Sequence, residues 1–202
     1  WVGYSWLGNT VRADEGWARA AFIVVMAALF VAALAIPESF DDFPGGLEGA
    51  VVLAVCYAIV RFVHLGFYAY AARSAGDAGL MRQLARFGVV TGISVALMFA
   101  GAAAGGTAQI VLWLAAVAVD YVGTQVIGAG GWRLNSPGHF SERHGLIIII
   151  ALGESIVAIG VGASGRPIAS DVIVASVLGI ALVAAMWWVY FDVTAIAAER
   201  RL

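Results

Sequence analysis

A handful of residues that hydrocarbon tolerates poorly stand inside otherwise apolar runs of this sequence. Arg61 and His64 interrupt the run 47–72, Asp120 interrupts 108–130, and Glu154 interrupts about 140–163. Gln125 and Asp192 are further polar positions in such runs. A charge in the core of a bilayer costs several kcal/mol, so these residues are functional candidates by default, as proton or ion carriers or as anchors for a polar solute. Depth decides which can meet. At about 1.5 Å of rise per residue, Arg61, Asp120 and Glu154 fall within one or two turns of a common plane. His64 lies one turn from Arg61 on the same face. An Arg between two carboxylates leaves one net negative charge, or none once an acid is protonated. The expected pairing is therefore Arg61 with Asp120 or Glu154. There is also a faint echo: Val60-Arg61-Phe62-Val63 aligns with Val119-Asp120-Tyr121-Val122, with the charge exchanged at equal depth, though the identities are few for such apolar-rich runs.

A second group gathers where the fifth run begins: His139, Glu142, Arg143 and His144. His139 and Arg143 are spaced i, i+4, and Arg143 and Glu154 lie about three turns apart on one face. As chemistry, Glu154 takes up and releases a proton, and His144, His139 and His64 pass it toward the Arg-rich side. A structural reading stands beside this one. His139 and Glu142, assisted by Ser141, then cap and anchor the helix at the interface, and the buried charges are static pairs that lock a bundle. No metal site is expected: His139 and His144 are five apart, off one helical face and without HExxH order, and Cys56 is the single cysteine. No GxSxG, Walker A or GxGxxG motif is present. The chain is not read as an enzyme, and neither catalytic residues nor a cofactor are expected.

The elements that must position these groups follow from composition. Charged residues make up 12% of the 202 residues, against about 25% in soluble domains, while the AVILMFWYC set reaches 62% and the mean hydropathy is +0.94. A soluble globule cannot cover that much apolar surface, which excludes a cytosolic enzyme, and disorder is excluded on the same ground. The net charge of −2 gives no reason to expect a nucleic acid. The class is all-α: a polytopic transmembrane helix bundle forming one domain over 1–202. A membrane helix needs about 20 mostly apolar residues. Six stretches qualify, at about 17–37, 47–72, 87–104, 108–130, 140–163 and 171–196, and 1–8 reads as the end of a seventh helix. With Trp1 in place of Met, the chain reads as an internal stretch of a longer membrane protein. Small residues at Gly92-x-x-x-Ala96, Gly101-x-x-x-Gly105 and Gly160-x-x-x-Ser164 are the expected sites of close helix approach.

All eleven basic residues are Arg. Nine fall in alternate connections (Arg12, Arg19, Arg73, Arg82, Arg86, Arg133, Arg143, Arg200, Arg201), Arg166 falls on the opposite side, and Arg61 lies within a span. This alternation supports the six-span count and places the Arg-rich side in the cytoplasm. Glu38, Asp41, Asp42, Glu48 and Asp171 on the other side read as a solvated rim. The expected partners are the lipid bilayer and a small solute or ion, with an oligomer left open.

The stretch from His139 to Gly160 resembles the signature of the bacterial low temperature requirement A family, of the form H-x-x-E-R-x-G-L, an apolar run, then ALGE-S. The matching residues are His139, Glu142, Arg143, Gly145, Leu146 and Ala151-Leu152-Gly153-Glu154-Ser155. Also similar are the opening Trp-x-x-Tyr-x-Trp, the Ala-x-x-Ile-Pro-x-x-Phe of 33–40, Tyr57 with Arg61, and Trp187-Trp188-x-Tyr190-Phe191-Asp192. Family members are longer and begin with a helix reading like E-x-F-F-D-L-V-F, which is absent here and whose acids are alternative partners for Arg61 or Arg143. The resemblance implies a multi-pass protein of the bacterial plasma membrane, from a family named for growth in the cold, and a working set of Glu142, Arg143 and Glu154. It does not choose between a proton- or ion-coupled transporter with a midplane Arg/Asp/Glu site and a non-transporting stress-adaptation scaffold.

Overall fold

The computed structural model describes residues 3, 4, 7, 16–41, 45–128, 137–163 and 169–195. Among them all regular structure is helical: α1 (Gly16–Glu38), α2 (Gly49–Ser74), α3 (Ala78–Ala104), α4 (Gly106–Ile127), α5 (Pro137–Ala163) and α6 (Ser170–Trp188), the last running into a π-helical turn, Val189–Ala195. Each of the six carries a stretch long and apolar enough to cross a membrane. Helices are the natural answer for such sequences, because hydrocarbon offers the backbone no other hydrogen-bond partner.

The expected spans are present, with one shifted boundary. The third run was expected from 87, whereas α3 starts at Ala78, where the Asp77 side chain accepts from the Leu80 N–H at 2.9 Å. Hydropathy marks where the apolar part begins. The capped helix starts earlier and carries Arg82 and Arg86 as exposed interfacial residues. The N-terminal stretch is described only at Gly3, Tyr4 and Leu7, which are helical.

The chain divides into two compact units, Trp1–Arg133 and Leu134–Leu202. In the first, α1 packs on α2, α2 on α3, and α3 on α4. Two apolar clusters hold these helices: Leu7, Ala18, Phe67, Tyr68, Ala72 and Leu84 toward the Arg73/Arg82 end, and Ala54, Met98 and Ala116 toward the other. The outward faces carry large exposed apolar side chains such as Met26, Phe30 and Val126, as a lipid-facing surface requires. At the acidic end the Gln109 amide donates to the Ser39 carbonyl at 2.7 Å and joins the end of α1 to the start of α4.

Close helix approach occurs at glycines other than most of those expected. A Cβ on Gly49 would lie 2.7 Å from the Glu38 backbone, and one on Gly123 would lie 2.6 Å from Val90. Of the anticipated small faces only Gly101 is tight, 2.6 Å from the Trp113 ring. Gly92 and Gly160 meet nothing within 4 Å among the described residues, and Ser164 lies outside them. The GxxxG-type spacing misleads because so Ala- and Gly-rich a chain offers many small faces, and only one side of each helix meets a neighbour. In the second unit α5 packs on α6, with Gly179 against Ile159 and Gly145 facing the Phe191 ring at 3.6 Å.

Candidate functional site

Spacing on three helices builds the site. On α2, Tyr57, Arg61, His64 and Tyr68 recur at steps of four, three and four, one stripe of a helix. On α3, Phe87, Thr91 and Ser94 do the same, and on α4, Val117, Asp120, Tyr121 and Thr124. Gly123 allows α4 to approach α3 at Val90, one turn along from Asp120. The three stripes meet between the two apolar clusters of the first unit.

The Arg61 guanidinium pairs with Asp120, Nη2 to Oδ1 at 2.7 Å, and the same Nη2 donates to the Thr91 hydroxyl at 3.1 Å. The Ser94 hydroxyl lies 3.1 Å from Asp120 Oδ1 and 3.2 Å from the Ala116 carbonyl, so its proton is shared between them. The Tyr57 hydroxyl donates to Asp120 Oδ2, and its ring lies under the guanidinium at 6.0 Å. Asp120 thus accepts from three side chains, which is how a carboxylate is accommodated in an apolar interior. Thr91 and Ser94 are buried, yet the Arg61 and Asp120 side chains keep 27% and 22% of their surface accessible. The reason is a cavity of about 580 Å³ bounded by α2, α3 and α4, with Gly3 of the N-terminal stretch also lining it. It runs from Arg61, Thr91 and Asp120 past His64, Tyr68 and Phe87 to Gln125 and Gly128 at the Arg-rich end of α4.

His64 lines that cavity and is held by aromatic contacts. Its ring lies 5.0 Å from Tyr4 and 5.1 Å from Tyr68. The N-terminal stretch seats on it: a Cβ on Gly3 would lie 2.9 Å from His64 Nε2, and the Tyr4 hydroxyl donates to the Val60 carbonyl at 2.7 Å.

Arg61, Asp120 and His64 are therefore brought together around one cavity. Glu154, Glu142 and Arg143 lie on α5 in the second unit. A Cβ on Gly153, beside Glu154, would meet nothing within 4 Å among the described residues. Glu154 is exposed, and the Ser155 hydroxyl donates back to the Ala151 carbonyl at 2.9 Å. Glu142 and Glu154 are well separated along α5, the first near its start. The side chains of His139 and Ser141 lie outside the described residues, and so does the proposed cap. Among the described residues no group of three His, Cys, Asp or Glu is placed to hold a metal.

Thr91 and Ser94 escaped the sequence reading, although their i, i+3 spacing on an apolar helix was a usable signal. Tyr57 stood out only through the family motif. Gly123 is a positioning residue, and its effect is testable. Gly123→Leu must displace Val90 or α4, and overpacking of this kind costs about 1–3 kcal/mol. The expected outcome is a lower melting temperature in detergent with the helix content retained, read by circular dichroism. An unchanged melting temperature would show that the α3–α4 approach is looser than 2.6 Å implies.

Among the described residues, six helices are long and apolar enough to cross a membrane, which defines a polytopic integral membrane protein. The family profile described as bacterial low temperature requirement A protein (LtrA) matches residues 1–202, and the chain belongs to that family. The chain is also 29% identical over 205 residues to an uncharacterised protein of Rhizobium meliloti (strain 1021), an alignment covering 95% of this chain and 47% of the relative. The chain thus spans about half the length of the curated relative it matches. No solved structure matches.

Proposed function

We propose that the protein is a proton- or ion-coupled secondary transporter of the bacterial plasma membrane, with Arg61 and Asp120 at its solute site. The observation that carries this reading is the accessible ion pair at the floor of the cavity of about 580 Å³. Transporter sites characteristically lie near the bilayer midplane, in cavities between helices. His64, next along the same wall, is the relay candidate toward the Arg-rich side, and Glu154 is the second protonatable group, on α5. The Arg-rich connections face the cytoplasm. The cold-growth role in the family name fits a permease needed under stress.

A second reading keeps a specific observation in its favour. The three hydrogen bonds accepted by Asp120 suit a static scaffold whose charges fix the helices. Access separates the two without knowledge of the solute. In the full-length protein with Cys56→Ala, Thr91→Cys is placed at the cavity floor, and Arg82→Cys and Leu47→Cys report orientation. A membrane-impermeant thiol reagent is applied to each face of sealed vesicles. A transporter exposes Thr91→Cys to both faces in turn, while Arg82→Cys reacts from the cytoplasmic face alone and Leu47→Cys from the outer face alone. Labelling of Thr91→Cys from neither face favours the scaffold. Labelling from one face makes the cavity a receptor pocket. Arg82→Cys and Leu47→Cys reacting from the same side would overturn the topology.

A further inference from the structure

The hydrogen-bond inventory of the ion pair is unbalanced, and the imbalance has a sign. Asp120 is well supplied: Oδ1 receives Arg61 and Ser94, and Oδ2 receives Tyr57. Little acceptor capacity is left on it for a positively charged visitor. Arg61 is the opposite case. A guanidinium carries five N–H donors, and both protons of Nη2 are engaged by Asp120 and Thr91. The Nη1 protons and the Nε proton make no hydrogen bond among the described residues, and the Nε is buried. A buried donor such as Nε is costly without an acceptor, and Nη1 also has none among the described residues, so a group that brings acceptors to this end of the cavity is favoured over one that brings donors. The rest of the wall is mostly apolar, with His64, Thr124 and Gln125 as its further polar side chains. Tyr68, Leu84, Phe87, Val117 and Tyr121 present mainly carbon. A cavity of about 580 Å³ is in the range of small-molecule sites, which combine apolar walls with few polar anchors.

We propose that the cavity binds a small organic carboxylate with a compact apolar body. The carboxylate lies on the guanidinium of Arg61, and the body lies along Phe87 and Tyr121. A planar carboxylate matches the fork of Arg. A doubly charged anion such as phosphate fits less well, since one Arg already shared with Asp120 cannot neutralise it and most of the wall is carbon. The ligand class rests on the cavity being a solute site, as in the transporter reading.

The test uses the full-length protein in nanodiscs and isothermal titration calorimetry with three near-isosteric probes: phenylacetate, phenylacetamide and 2-phenylethylamine. Phenylacetate is expected to bind saturably, at least about tenfold more tightly than the amide or the amine, since a hydrogen bond to a charged group is worth a factor of that order. The double variant Arg61→Gln/Asp120→Asn keeps the shape of the pair without its charges and is expected to lose at least about tenfold of that affinity. Val117→Trp narrows the cavity without touching the pair, so it reports even if the double variant fails to fold, and it too should weaken phenylacetate. The amine or amide binding as well as the acid, no saturable binding of any probe, or phenylacetate binding unchanged in Val117→Trp would each overturn the proposal. Equilibrium binding is separate from transport. Phenylacetate binding with Thr91→Cys labelled from one face refutes transport and leaves the carboxylate site standing. Two-faced labelling without phenylacetate binding refutes the carboxylate site alone.

Discussion

Asp120→Leu is expected to destabilise the protein more than Arg61→Met, and the double variant less than Asp120→Leu. Removing one partner of a buried pair leaves an uncompensated charge and costs about 3–5 kcal/mol. The low end applies here, because both side chains keep some accessible surface toward the cavity. The asymmetry comes from chemistry. Without Arg61, Asp120 still has the Tyr57 and Ser94 hydroxyls as donors, and a carboxyl can take up a proton and become neutral. Without Asp120, Arg61 keeps only Thr91 as an acceptor and cannot shed its charge. Tyr57 also loses its acceptor, and Ser94 falls back on the Ala116 carbonyl. Removing both charges restores part of the loss, since an apolar pair of similar volume suits this environment. The measurement is a double-mutant cycle on melting in detergent, read by the monodisperse fraction on size exclusion. Additive losses in the double variant would mean that the two residues do not act as a pair. Equal losses in the single variants would mean that the hydroxyls around Asp120 carry no energy.

Much of this pair was legible in the sequence. Arg61 and Asp120 fall at matching depths of two runs in the same direction, and a lone Arg at that depth is costly enough to predict a carboxylate partner. The helices were legible too, because about 20 apolar residues in a row leave a chain few options. The start of α3 was not, since Arg82 and Arg86 lower the hydropathy of turns that Asp77 nonetheless caps. Thr91 and Ser94 were not singled out, because hydroxyl residues in apolar helices often bond to their own backbone, as Ser155 does here. The glycines that matter were invisible for a different reason. Gly49 and Gly123 are identified by what faces them, the Glu38 backbone and Val90, and a facing residue on another helix has no signature in local spacing. The cavity is more remote still from the sequence. It is the volume that three helices and the N-terminal stretch fail to fill, and no single run of residues encodes it.

Glu154→Gln in the full-length protein is expected to abolish proton-dependent transport while leaving membrane abundance and melting temperature near those of the unmodified protein. Glu154 lies near the middle of the 22-residue apolar span Glu142–Ala163, and its side chain is exposed on α5. That combination separates it from Asp120. Asp120 is bound by three donors, so its removal disturbs packing. The exposure of Glu154, and the open space a Cβ on Gly153 would meet, mean that Gln at 154 displaces nothing in this unit. Gln keeps the volume and the hydrogen-bonding capacity and loses only the ability to carry a proton, so a proton-coupling role and a structural role predict different results. Trapped-dye measurements of pH in proteoliposomes, run beside rescue of growth in the cold, give the readout. Loss of both with normal abundance assigns the coupling proton to Glu154. Retention of both removes Glu154 from any coupling step. If activity and abundance fall together, Glu154 is structural, and the static-scaffold reading gains the support that the transporter reading loses.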